Sequence, residues 1–170
     1  MNRSSLEQKL FNEVQEGKIS EVYRLASNAF KNLSSSQYFT MEIFDRKGST
    51  IIGCLATLGK FLDSLDNATK GRASSEDLLK SLKDVMNQPF ESIVVEQRSN
   101  FLYSRTNLRL FARVTEGVEG SNKFFKDFQY SETLKHCFGE IAEFLKKIQP
   151  IYYRLAEFDL SSSQNPNSEL

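Results

Sequence analysis

The chain has 170 residues and no net charge, since 22 lysines and arginines balance 22 aspartates and glutamates. That length is sufficient for one domain with a buried core that needs no metal or disulfide. A balanced charge excludes a general attraction to nucleic acid or anionic membranes, so such binding would need a local patch. No segment approaches the roughly eighteen apolar residues of a membrane span. No apolar run follows Arg3, so we expect no secretory signal.

Helix-breaking residues are few, with three prolines and eight glycines, and this composition favours helix over sheet. The pattern of apolar residues and breakers predicts helices over 5–16, 20–33, 50–65, 75–86, 90–115, 121–130 and 131–158. Residues 37–48 are predicted as a short helix or an extended connection. Ser5 with Gln8, and Ser74 with Asp77, have the spacing of side chains that cap a helix start. Gly117 and Gly120 are expected to break the chain before the aromatic helix over 121–130.

The segment over 131–158 is predicted as the central helix, because its apolar residues recur at steps of three and four. These residues form one seam: Leu134, Phe138, Ile141, Leu145, Ile148, Tyr152 and Leu155. Ser131 is expected to cap the start of this helix. Pro150 is expected to kink or restart it, because proline removes a backbone donor and clashes one turn back.

The sequence therefore predicts an all-α protein, a single-domain irregular bundle of six or seven helices over 1–160. The last residues, 161–170, are polar and without apolar periodicity, so we expect a disordered C-terminal tail. The predicted core consists of Leu10, Val14, Val22, Leu25, Leu55, Leu58, Leu62, Leu65, Leu82, Val85, Phe101, Leu108, Phe111, Phe128, Phe138, Ile141, Leu145, Ile148 and Tyr152.

The strongest candidate site is a row of four arginines in the helix predicted over 90–115. They are Arg98, Arg105, Arg109 and Arg113, whose spacings of 7, 4 and 4 place them on one helix face. Arginine binds carboxylates and phosphates through paired hydrogen bonds. The row therefore has three interpretations: a solvated face paired with acids of neighbouring helices, a surface for an acidic protein, or a site for nucleic acid or anionic lipid.

Nothing in the sequence has the spacing of a catalytic or metal site. His136 and Cys137 are neighbours in a helix and point about 100° apart, so they cannot act as base and nucleophile. Cys54 could meet His136 only through folding, and we expect two packed thiols. One histidine and two distant cysteines match no usual metal-ligand spacing, so we predict neither metal nor cofactor. Glu140 and Glu143 lie among lysines, as on a solvated face.

Two stretches resemble ankyrin repeats. Residues 10–25 are similar to a helix pair with Gly17 at its turn, and residues 45–59 follow the family's line at Asp45, Gly48, Thr50, Ile52, Ala56 and Gly59. Ile51 and Gly53 depart from the family's proline and histidine. Ankyrin-like helix pairs are thus the minor alternative to the single bundle, and the resemblance implies a protein-binding surface without catalysis.

These patterns predict a non-enzymatic protein–protein interaction module, with binding of nucleic acid or anionic lipid by the arginine row as the alternative. The polar tail, rich in serine and containing Glu169, is similar to the tails of proteins delivered by bacterial type IV secretion. We therefore expect an effector or adaptor that is cytoplasmic, or that reaches a host cytosol by a non-Sec route.

Overall fold

The computed structural model describes residues 2–35, 49–90 and 117–164; for Ser49, 117–124, Phe128 and 159–164 it describes the backbone alone. The longer helices in these ranges are α1 (Arg3–Glu16), α2 (Ile19–Ser34), α3 (Ser49–Thr69), α4 (Ser75–Met86) and α5 (Gly117–Gln164). These ranges contain no strand, which confirms the predicted all-α class. Most of the helix predicted over 90–115 and the whole of 37–48 lie outside the described residues.

One of the three predicted helix caps is confirmed. The Ser74 side chain accepts a hydrogen bond from the Asp77 amide at 3.2 Å and caps α4. At α1 the prediction is wrong, because Asn2 is the cap and its side chain accepts from the Ser5 amide at 2.8 Å. The Ser5 amide is thus a donor inside the first turn, since Asn2, directly before the helix, supplies an equally good acceptor.

A two-residue turn joins α1 to α2. Gly17 keeps helical backbone angles and its amide donates to the Glu13 carbonyl at 2.9 Å. Lys18 then adopts a positive φ of 50°, a conformation that glycine usually supplies after a helix. A Cβ on Gly17 would lie 3.4 Å from Phe144 Cδ2 and 3.1 Å from the Glu13 carbonyl. The tight neighbour of such a Cβ is thus the Glu13 carbonyl, while the Phe144 ring of α5 lies at an ordinary van der Waals distance; lysine takes the left-handed position.

Helix α3 continues through Gly59 without a break and ends only at Thr69. In the ankyrin-like alternative, a helix that starts near Thr50 ends near Gly59, because two helices and a turn share about 33 residues. A 21-residue helix does not fit such a unit, so the ankyrin-like interpretation of 45–59 is wrong. The chain instead turns at Gly71, which has a φ of 69°.

Helix α5 is one helix of 48 residues where the sequence predicted two. It starts at Gly117, so Gly120 does not break the chain, and it passes Ser131, which is buried within the helix and is not its cap. It also continues through Pro150 without a restart. Pro150 is exposed, so water can bind the carbonyl of Lys146 that lacks its usual donor. The helix ends at Gln164, four residues into the predicted tail; residues 165–170 lie outside the described part.

The described helices divide into two compact units. The first contains α1, α2 up to Ser20, α3 from Ala56, α4, and α5 from Glu143. The second contains α2 from Glu21, α3 up to Leu55, Pro89 with Phe90, and α5 up to Ala142. Three helices thus contribute residues to both units. The prediction of a single domain over 1–160 stays a prediction.

Polar contacts link both ends of α1 to other helices of the first unit. At its start the Arg3 guanidinium donates to the Ser75 carbonyl at 2.9 Å and pairs with Glu7 at 3.3 Å. At its end Lys147 Nζ of α5 lies 3.0 Å from Glu13 Oε2, an oxygen that the protein shields from solvent. Between these ends Leu6, Leu10 and Val14 are buried. The apolar face of α1 therefore supplies the burial, while the Arg3–Ser75 and Lys147–Glu13 contacts link its ends to α4 and α5.

Phe90 and Phe138 are packed inside the second unit, with ring centroids 5.5 Å apart in an edge-to-face arrangement. Such a contact adds to the burial of two large rings. Other buried side chains of this unit come from α2, α3 and α5: Ala26, Ala29, Leu33, Ile51, Cys54, Leu55, Leu134, Cys137 and Ile141.

Periodicity identified most of the core correctly. The predicted core residues that are buried are Leu10, Val14, Leu55, Leu58, Leu65, Leu82, Val85, Phe138, Ile141, Leu145 and Ile148. Val22, Leu62 and Tyr152 are only half-buried. The prediction that Leu25 is buried is wrong, because Leu25 is 39% exposed while Ala26 and Ala29 lie on the buried face of α2. Phe101, Leu108, Phe111 and the Phe128 side chain lie outside the described residues.

Candidate functional site

The arginine row cannot be placed on the fold. Arg98, Arg105, Arg109 and Arg113 all lie in 91–116, outside the described residues. Their shared helix face and their binding role therefore stay predictions from spacing. In the described residues, the groups that could form a site are two thiols, several ion pairs and a few exposed apolar side chains.

Both cysteines belong to the second unit, and both are buried. Burial raises the pKa of the Cys54 thiol to about 12, because a charge loses its hydration inside the protein. Burial also raises the pKa of Cys137, and the negative charge of Glu140 adds to the effect. A nucleophilic cysteine needs the opposite shift, towards a thiolate at neutral pH. The two thiols therefore have the properties of core groups.

The polar face of α5 is solvated, as predicted for Glu140 and Glu143. The His136 side chain is 74% exposed and its Nε2 lies 3.0 Å from Glu140 Oε1. One turn further along, Lys146 Nζ lies 3.7 Å from Glu143 Oε1. Exposed pairs of this kind contribute little to stability. His136 thus faces solvent while its neighbour Cys137 is buried, which agrees with their predicted divergence on the helix.

Among the side chains that the structure describes, four large apolar ones remain substantially exposed: Leu25, Ile52, Phe125 and Tyr153. Ile52 is 51% exposed beside the buried Ile51, and Tyr153 is 55% exposed beside the half-buried Tyr152. The Tyr153 hydroxyl accepts a hydrogen bond from Gln149 Nε2 at 3.2 Å, and its ring centroid lies 5.4 Å from that of Tyr152. Neighbouring residues of a helix point about 100° apart, so Ile52 can be exposed although Ile51 is buried. Our candidate sites did not include these exposed side chains.

Neither a metal centre nor a membrane span is found in the described ranges. No cluster of three or more histidine, cysteine or acidic side chains there is arranged to hold a metal ion. None of the helices in these ranges combines the length and the apolar character needed to cross a bilayer. No protein-family model, curated protein or solved structure matches the chain. The function must therefore be argued from the residues themselves.

Proposed function

We propose that this chain is a non-enzymatic module that binds another protein, as an effector or an adaptor does. The observation that carries the proposal is the exposure of Ile52 on a helix whose other large apolar residues are buried or half-buried. Burying such a side chain against a partner releases free energy, about 25 cal/mol for each Å² removed from water. The exposed ring of Tyr153 supports the same proposal, because tyrosine is enriched where proteins bind one another.

The non-enzymatic part of the proposal is supported by the two thiols. A role for Cys54 in catalysis would require a thiolate and access for substrate. Cys54 is fully buried, and burial raises its pKa. The proposal also retains the irregular bundle of six or seven helices. Five of these are the described helices, and the helix predicted over 90–115 would add one more.

A pair of variants of α3 tests the protein-binding role. Ile52→Lys and Asp63→Asn each raise the net charge by one, and both positions are exposed on the same helix. A candidate partner is first captured from a cell lysate, then purified and titrated against the wild-type chain. We expect a saturable complex that Ile52→Lys weakens by tenfold or more, which corresponds to about 1.4 kcal/mol. Asp63→Asn should bind as the wild type does.

Circular dichroism melts of the same variants separate binding from folding. Both variants should have the melting temperature of the wild type, because each change is made at an exposed position. Equal affinities for the wild type and a folded Ile52→Lys would exclude this surface from the binding site. Failure of every purified candidate to form a saturable complex would contradict the protein-binding role itself.

Binding of nucleic acid or anionic lipid is the second candidate, favoured by the spacing of Arg98, Arg105, Arg109 and Arg113. The test combines Arg105→Glu, Arg109→Glu and Arg113→Glu, with a DNA duplex, an RNA duplex and phosphatidylserine vesicles as probes. If the row binds phosphates, wild-type affinity should fall steeply with salt, because neutralised phosphates release counterions. The triple variant should lose binding to every sequence alike. Binding by a folded triple variant that equals wild-type binding would remove the row from the function.

A cytoplasmic location, or delivery into a host cytosol by a non-Sec route, completes the proposal. Its support is the similarity of the polar C-terminal residues to tails used in bacterial type IV secretion. A translocation reporter fused to the chain tests this with and without residues 161–170. Delivery that depends on those residues is expected, and equal delivery by both fusions would contradict the role of the tail.

A further inference from the structure

We draw no further inference here: the strongest candidate, the exposed side chain of Ile52 on α3 in the second unit, belongs to the binding surface already proposed, and nothing in the structure shows what covers it.

Discussion

At the scale of single residues, the turn between α1 and α2 has lysine in the left-handed conformation, where glycine is usual, and glycine in an ordinary helical conformation. Lys18 has the left-handed conformation, which costs an L-residue with a side chain roughly 1 kcal/mol, while Gly17 has ordinary helical angles. A Cβ at Gly17 would lie 3.1 Å from the Glu13 carbonyl, which is tighter than most Cβ contacts, and at an ordinary van der Waals distance of 3.4 Å from the Phe144 ring. The backbone strain is therefore at position 18, one residue after the glycine.

Lys18→Gly should therefore stabilise the protein. We expect the free energy of unfolding to rise by a few tenths to about 1 kcal/mol, because glycine adopts a positive φ without strain. Urea denaturation measures the change. The control is Lys9→Gly, at an exposed position within α1, which should lower stability by about 1 kcal/mol. A loss of stability in Lys18→Gly would show that the lysine side chain matters more than its backbone strain.

The two thiols should be protected in the native state. At mildly alkaline pH, a thiol-specific reagent such as DTNB should label neither Cys54 nor Cys137 until urea unfolds the chain, because both are buried and remain protonated. Rapid labelling of Cys54 in the folded protein would contradict its place in the core and would reopen a catalytic role.

The raised pKa of Cys54 also predicts how stability depends on pH. The pKa of this thiol is raised from about 9, its ordinary value, to about 12 in the folded protein. Between these two pH values the unfolded thiol loses its proton while the folded thiol keeps it. The unfolded state then binds fewer protons, so the free energy of unfolding should fall as pH rises through this range. Cys54→Ala should reduce that slope, although the cavity lowers its stability at every pH. An identical alkaline slope in both proteins would contradict the shift.

At the scale of helices, sequence periodicity predicted which faces are buried better than it predicted where helices begin and end. Leu134, Ile141 and Leu155 are buried as expected, because a step of three or four residues follows directly from helix geometry. The merger of two predicted helices into α5 could not be read from the sequence. Glycine, serine and proline lower helix propensity by at most a few kcal/mol, and tertiary packing overrides such preferences.

Proline within α5 gives a prediction for this scale. Pro150→Ala should raise the free energy of unfolding by about 1–3 kcal/mol, because alanine restores the amide donor and removes a clash inside a continuous helix. Thermal denaturation followed by circular dichroism measures the change. The control is Gln149→Ala, the exposed neighbour, whose effect should stay within about 0.5 kcal/mol. If Pro150→Ala destabilised the protein, the ring itself would be contributing to packing.

At the scale of the whole molecule, stability should depend strongly on the buried seam of α5. Leu145→Asp places a charge at a buried position, at a cost of several kcal/mol against a total stability of roughly 5–15 kcal/mol. We expect loss of the cooperative melting transition. The control is Tyr153→Asp, the same new residue at an exposed position of α5, which should melt within a few degrees of the wild type. If the Leu145→Asp variant melts cooperatively at the wild-type temperature, the seam of α5 is exposed to solvent and not buried.

Fold class was predictable from the sequence, but the candidate site was not. Helix composition and spacing led directly to the all-α class, which the described residues confirm. The arginine row rests on spacing alone, because Arg98 and its three partners lie outside those residues. Exposed apolar groups such as Ile52 were missed because periodicity locates the face that packs inward. It gives no criterion for a large side chain on the outer face.

The division of α5 between the two units also has a consequence for synthesis on the ribosome. Neither unit is a continuous piece of chain, and each includes part of α5. Contacts between residues far apart in sequence form slowly, because the intervening chain must be ordered first. The nascent chain can form α1 to α4 early, but the apolar side chains that α5 covers stay exposed until α5 leaves the exit tunnel. We expect chaperones that bind apolar segments to associate with the chain during that interval, and to leave when α5 packs.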